Sequence, residues 1–156
     1  IVGHSDNRIK QNESNEIVNS KIKSLISYSI TPIVCFGELS KASLNDTLST
    51  LTVEINSMLS EIPAEYVDKI IFAYEPVWAI NNPDIYIDCN YVDKIASYIK
   101  NYFEVTYGVR PSLLYGGSIN LSNIDELNKI DSLDGFLIGG ASAKVDVLNQ
   151  ILDKIS

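Results

Sequence analysis

Short apolar runs separated by longer amphipathic segments constrain this chain more than any other feature. Pro32 to Phe36, Ile70 to Tyr74, Ser112 to Tyr115 and Gly135 to Ile138 are rich in β-branched, aromatic or leucine residues, and each gives way to a Gly or an acidic residue. Runs apolar on both faces read as buried strands. Between them, apolar residues fall at helical spacing: Ile17, Ile22, Leu25 and Ile26; then Leu44, Leu48, Leu51, Ile55 and Leu59; then Val92, Ile95, Ile99 and Phe103. Each set lines one face of a helix. A weaker helix is expected to open at Ser122, capped by its hydroxyl with Asp125 three residues on, and a last one runs through Val145, Leu148, Ile151 and Leu152. Strand and helix alternate throughout, and strands buried on both faces need helices covering a parallel sheet. The class is α/β. With a stub at Ile1-Val2 there are about five parallel strands, enough for an open sheet or for part of a closed barrel of eight.

Composition narrows the function. Of the 156 residues 46% are apolar and 21% charged, which suits a single domain over 1–156 and is too hydrophobic for disorder. A net charge of -8 repels phosphate polymers and anionic lipid, so neither nucleic acid nor a membrane is an expected partner. No apolar stretch reaches the roughly 20 residues that span a bilayer, and a signal peptide's basic and apolar regions are not seen at the start, which points to a cytoplasmic protein. Cys35 and Cys89 make no disulfide framework, and with His4 the sole histidine a structural zinc site is nearly excluded. No metal is expected. A chain opening on Ile1-Val2-Gly3, without Met and inside an apolar segment, looks cut from something longer.

In parallel α/β folds the ligand sits beyond the carboxyl ends of the strands. The residues there are Gly3-His4-Ser5, Gly37-Glu38, Glu75-Pro76-Val77-Trp78, Gly116-Gly117-Ser118 and Gly139-Gly140-Ala141-Ser142. Glu75 is the one carboxylate within about ten mostly apolar positions, and desolvation there raises its pKa toward that of a general base. The alternative is a structural glutamate paired with a lysine. A neutral His4 could donate to a carbonyl oxygen gaining negative charge, or be a satisfied structural residue. The two Gly-Gly-containing loops fit a phosphate cradle, because glycine lets backbone amides approach an anion and a helix opening near Gly140 adds its positive end. Ser5 lacks a nucleophile elbow, and Tyr98, Tyr102 and Tyr107 read as helix core and rim.

Taken together, Gly3-His4-Ser5-Asp6-Asn7-Arg8, Cys35-Phe36-Gly37-Glu38, Ala73-Tyr74-Glu75-Pro76-Val77-Trp78-Ala79-Ile80, Tyr115-Gly116-Gly117-Ser118 and Asp134 through Ser142 resemble the successive signatures of the triosephosphate isomerase family, in its order and spacing. The resemblance implies a (β/α)8 TIM barrel, present here in part, from its fourth strand onward. It implies a cofactor-free enzyme of glycolysis and gluconeogenesis that interconverts dihydroxyacetone phosphate and glyceraldehyde 3-phosphate. Glu75 would move the proton and His4 would polarise the carbonyl. Backbone amides near Ser118, Gly139 and Gly140 would hold the phosphate, with Glu38 and Asp6 in support. The segment after Glu75 resembles a lid.

Three departures accompany the resemblance. The family chain has about 250 residues, so its first three βα units, with a catalytic lysine and the loop that forms the family's homodimer, have no counterpart here. Asn81-Asn82-Pro83-Asp84 stands where the family lid carries glycines, and Asp6-Asn7 stands for Glu-Arg. The resemblance therefore implies that this stretch alone is nearly inactive. A barrel that binds a phosphorylated metabolite or a protein partner without chemistry is the alternative.

Overall fold

A computed structural model describes residues 1–80, 82 and 85–155. Its centre is a parallel sheet of four strands, β1 (Ile33–Phe36), β2 (Ile71–Tyr74), β3 (Leu113–Tyr115) and β4 (Gly135–Phe136), lying side by side in chain order. Ile33 stands opposite Ile71, Phe72 opposite Leu113, and Leu114 opposite Gly135. Consecutive parallel strands that neighbour one another require crossovers, and the crossovers are helices. These are α3 (Leu44–Met58) and α4 (Ala64–Val67) between β1 and β2, α5 (Cys89–Tyr107) between β2 and β3, and α6 (Ile124–Leu127) between β3 and β4. Two helices precede the sheet, α1 (Ser5–Gln11) and α2 (Asn15–Ser27), and α7 (Val145–Ile155) follows it.

The expectation of about five strands is corrected to four. Val2 forms a single parallel bridge to Val34, its N–H donating to the Ile33 carbonyl at 2.9 Å and its carbonyl accepting from Cys35 N–H at 2.9 Å. Gly3 then turns to φ 71°, a left-handed conformation that breaks the extended path, so the ladder stops after one residue. Among the described residues the sheet is open and no barrel closes.

Most residues singled out by helical spacing are buried or partly buried, but Ile17, Val145 and Leu152 are corrections: each is exposed, and in α2 Val18 takes the inward place beside Ile17. Leu51, Ile55 and Leu59 of the α3 region and Val92, Ile95, Ile99 and Phe103 of α5 are all buried. Phe72 sits at the centre of the packing, 4.5 Å from Phe103 and edge-on to Phe36 at 6.3 Å between ring centroids. Helix ends are satisfied locally. Ser43 Oγ accepts from Asp46 N–H at the start of α3, and the Asp88 carboxylate accepts from Asn90 and Tyr91 N–H at the start of α5. The tyrosines of α5 face α3 rather than a ligand: Tyr91, Tyr98 and Tyr102 bring their hydroxyls to Thr47, Thr52 and Asn56. The Ser122 cap is a correction. α6 starts at Ile124, and Ser122 instead bonds the Asn120 side chain, whose own backbone N–H goes to Asn123, so the local side chains satisfy a turn first.

One buried amide ties helix to helix. Asn19 of α2 donates from Nδ2 to the carbonyls of Met58 at 2.8 Å and Ser60 at 2.9 Å, where α3 ends. Asn19→Ala strands both acceptors, and an unfolding titration should show a loss of about 2 kcal/mol. A loss below the error of the titration contradicts this reading.

Candidate active site

Every strand end contributes to one rim of the sheet. His4 precedes α1 and caps it: its Nδ1 accepts from Asp6 N–H at 3.2 Å. A ring nitrogen that accepts is unprotonated, so the neutral ring carries its proton on Nε2. That nitrogen faces the Glu75 carboxylate, with 3.3 Å between Nε2 and Oε1. Glu75 follows β2 and is only 3% exposed. Its other oxygen accepts from Ser5 N–H at 3.2 Å. The side chain that meets the Glu75 carboxylate is therefore a histidine, and the lysine pairing expected of a structural glutamate is not what its carboxylate makes among the described residues. Burial raises the Glu75 pKa, and His4, the Ser5 amide and the Cys35 thiol act against that rise. The thiol of Cys35, pushed up by burial and by Glu75, stays protonated.

Close packing fixes the carboxylate from below and beside. Gly37 leaves no room for a side chain, since a Cβ there would overlap the Glu75 carbonyl, and one at Gly116 would stand 2.9 Å from Glu75 Cγ. At Gly37 the obstacle is backbone, so glycine is required there by close approach, whereas at Gly116 it is a side chain. Glu38, buried at 5% exposure, accepts on Oε1 from Tyr74 OH at 3.0 Å and Trp78 Nε1 at 2.7 Å. It lies behind the rim, bonded to residues on either side of Glu75, and burial raises its pKa.

His4, Asp6, Glu75, Ser118, Gly139 and Gly140 share the wall of one cavity of about 560 Å³, within the usual range of about 300 to 1,000 Å³ for small-molecule sites. Glu38 is the one expected site residue outside that wall. Ser118 Oγ donates to the Ala79 carbonyl at 2.6 Å, which holds the turn after Trp78 and leaves the backbone as the route by which Ser118 can meet a ligand. Gly139 and Gly140 face open space, and a short 3-10 turn, Gly140–Ala143, starts there. The Asp6 carboxylate pairs with Lys10 at 3.3 Å on the surface, so Asp6 reaches His4 through its backbone alone. Asn81, Pro83 and Asp84 of the expected lid lie outside the described residues. Among the described residues no cluster of His, Cys, Asp and Glu could hold a metal ion.

Sequence reasoning missed Ser5, Cys35 and Lys144, the last being the one Lys or Arg on the cavity wall among the described residues. The parallel register carries the signal for Cys35, which stands opposite Ala73 two residues before Glu75.

Comparisons with known proteins show the family of the chain. A sequence model of the family described as Triosephosphate isomerase matches residues 1–155. The triosephosphate isomerase of Alkaliphilus oremlandii is 36% identical over 98% of this chain, and that of Ureaplasma parvum 38% identical over 99%. The crystal structure of triosephosphate isomerase from Bartonella henselae superposes with a TM-score of 0.81 at 32% identity over 97% of this chain. The chain spans 63% of the length of these two curated relatives and 62% of the crystallised chain. No helix among the described residues is long and apolar enough to cross a membrane. A family match running from the bridge at Val2 to the last turn of α7, with relatives more than a third identical throughout, places this chain in the triosephosphate isomerase family.

Proposed function

We propose that the protein carrying this chain is a triose-phosphate isomerase that interconverts dihydroxyacetone phosphate and D-glyceraldehyde 3-phosphate through an enediolate. The observation that carries the reading is the 3.3 Å approach of His4 Nε2 to a buried Glu75 on the wall of a cavity that the two glycine loops also line. Glu75 takes the proton from the carbon beside the substrate carbonyl and returns it to the neighbouring carbon. A raised pKa narrows the gap between carboxylate and a working general base. His4, whose Nδ1 is occupied by the Asp6 amide, offers Nε2–H to the oxygen that gains negative charge. The pairing of a glutamate base with a neutral histidine is the established pattern of this family.

The amides around Ser118, Gly139 and Gly140 hold the phosphate, and Lys144 adds a positive charge to a chain whose net charge is -8. Glu38 holds Trp78 and Tyr74 and so steadies the start of the segment after Glu75. The substrate is a small phosphate ester, the working unit of the complete protein is a homodimer, the location is the cytoplasm, and residues 1–156 form one domain of the barrel. The 156-residue stretch alone turns over very slowly, because an open sheet leaves the cavity unwalled on one side.

The test is steady-state turnover of glyceraldehyde 3-phosphate by the protein that carries this chain, alongside calorimetric titration with a phosphate-bearing enediolate mimic. Turnover at rates typical of enzymes and tight binding of the mimic are expected. Binding without turnover overturns the proposal in favour of a barrel that only binds phosphorylated ligands. Enzyme-like turnover by residues 1–156 alone overturns the statement about the isolated stretch.

A further inference from the structure

A largely buried ion pair beneath the site has no part in the chemistry above, yet it bonds the backbone at Gly3, Cys35 and Gly37. Glu54 projects from α3 and Arg8 from α1, with 3.1 Å between Arg8 Nη2 and Glu54 Oε1 and side chains only 15% and 12% exposed. The other Glu54 oxygen accepts from Gly37 N–H at 3.0 Å. Gly37 is the residue packed against the Glu75 carbonyl and the neighbour of Glu38. Arg8 in turn donates from Nε to the Gly3 carbonyl at 2.8 Å, one residue before His4, and from Nη1 to Asn15 Oδ1 at 2.7 Å. Its Nη2 also reaches the carbonyl of Cys35, whose thiol meets Glu75.

Stability alone is a weak account of such a pair. Removing two charges from water costs several kcal/mol per ion, and well-packed apolar replacements often do as well. Here burial outweighs even the adjacent guanidinium and pushes the Glu54 carboxyl up to about 7. What the pair supplies that apolar residues cannot is a directed set of hydrogen bonds to two separate loops.

We infer that Glu54 is a positioning residue for the proposed reaction, which with Arg8 fixes the distance between the His4 loop and the Gly37 floor under Glu75. This rests on the isomerase reading for its kinetic consequence and on geometry alone for its structural one. Loss of the two-way tie lets α1 and the end of β1 drift apart, and a drift of about 1 Å at reacting groups costs up to a hundred-fold in rate.

The experiment compares Glu54→Leu, Glu54→Asp and Glu54→Gln in the full protein, each checked for folding by circular dichroism. Readouts are kcat, KM and the 15N signals of the His4 ring, assigned with a His4→Asn control. Glu54→Leu, or Glu54→Asp if the leucine variant does not fold, should lower kcat about ten-fold with KM within about two-fold, and should move the His4 signals. Glu54→Gln keeps an acceptor for Gly37 and should recover most of both. A folded Leu or Asp variant with wild-type kcat and unmoved His4 signals overturns the inference. If the wild-type protein has no isomerase turnover, the functional reading fails separately, and the His4 signals decide this inference by themselves: moved signals support it and unmoved ones end it.

Discussion

Glu75→Gln in the protein that carries this chain lowers kcat by about a thousand-fold, in the middle of the range a positioned general base supplies. Glu75→Asp keeps the charge but withdraws it by one methylene, and a displacement of about 1 Å predicts a loss of about a hundred-fold. Neither loss comes from unfolding. Burial raises the folded-state pKa of Glu75 above its unfolded value, so the favourable contribution of its protonated form is complete below the ordinary carboxylate range and fades as pH rises through the folded value. At neutral pH the ionised side chain therefore opposes folding, and Glu75→Gln removes that opposition. Thermal melts at pH 7 should show the glutamine variant as stable as wild type or more so, with the difference shrinking toward pH 4. A variant that loses activity in step with its melting temperature contradicts this assignment.

The glycines beside Glu75 give the second large effect, and they separate folding from chemistry. A Cβ at Gly37 would overlap backbone atoms of Glu75, which belong to the paired strand ends and cannot move aside. Gly37→Ala is expected to cost more than about 3 kcal/mol, a fall in melting temperature of about 10 °C for a protein of this size. At Gly116 the obstacle is Glu75 Cγ at 2.9 Å, part of a side chain that can swing away. Gly116→Ala should keep the fold and lower kcat about ten-fold or more by moving the carboxylate off His4. The two substitutions add the same methyl group, so paired melting and rate measurements distinguish them. Equal loss of stability in both contradicts the packing described here.

Residues with a period could be read from the sequence, and residues placed by tertiary register could not. Leu44, Leu48, Leu51, Ile55 and Leu59 announce α3 because each recurs on one face, and the runs ending at Phe36, Tyr74 and Tyr115 announce strands because they are apolar throughout. The helix α1 carries no such signal. Its Ile9 is exposed, and the helix is held by the His4 cap and the Arg8 bonds to Gly3 and Asn15. The stub strand shrank to one bridge because Gly3 turns left-handed, a conformation that glycine permits but does not require.

The site follows the same division. Glu75, His4 and the glycine loops could be nominated because strand ends in parallel sheets face the ligand, but the partner of Glu75 could not. His4 reaches it only because Val2 bridges to β1 and so lays the start of α1 across the end of β2. Glu54 lies mid-helix between Val53 and Ile55 and gave no sign of its pairing with Arg8, which depends on how α3 packs under β1.

Solvent deuterium reports most directly on whether Glu75 moves the proton. The protein that carries this chain, given dihydroxyacetone phosphate in D2O, should release glyceraldehyde 3-phosphate labelled at carbon 2, while the Glu75→Gln variant should show labelling about a thousand-fold slower. Wild-type labelling and turnover in the Glu75→Gln variant would contradict the account.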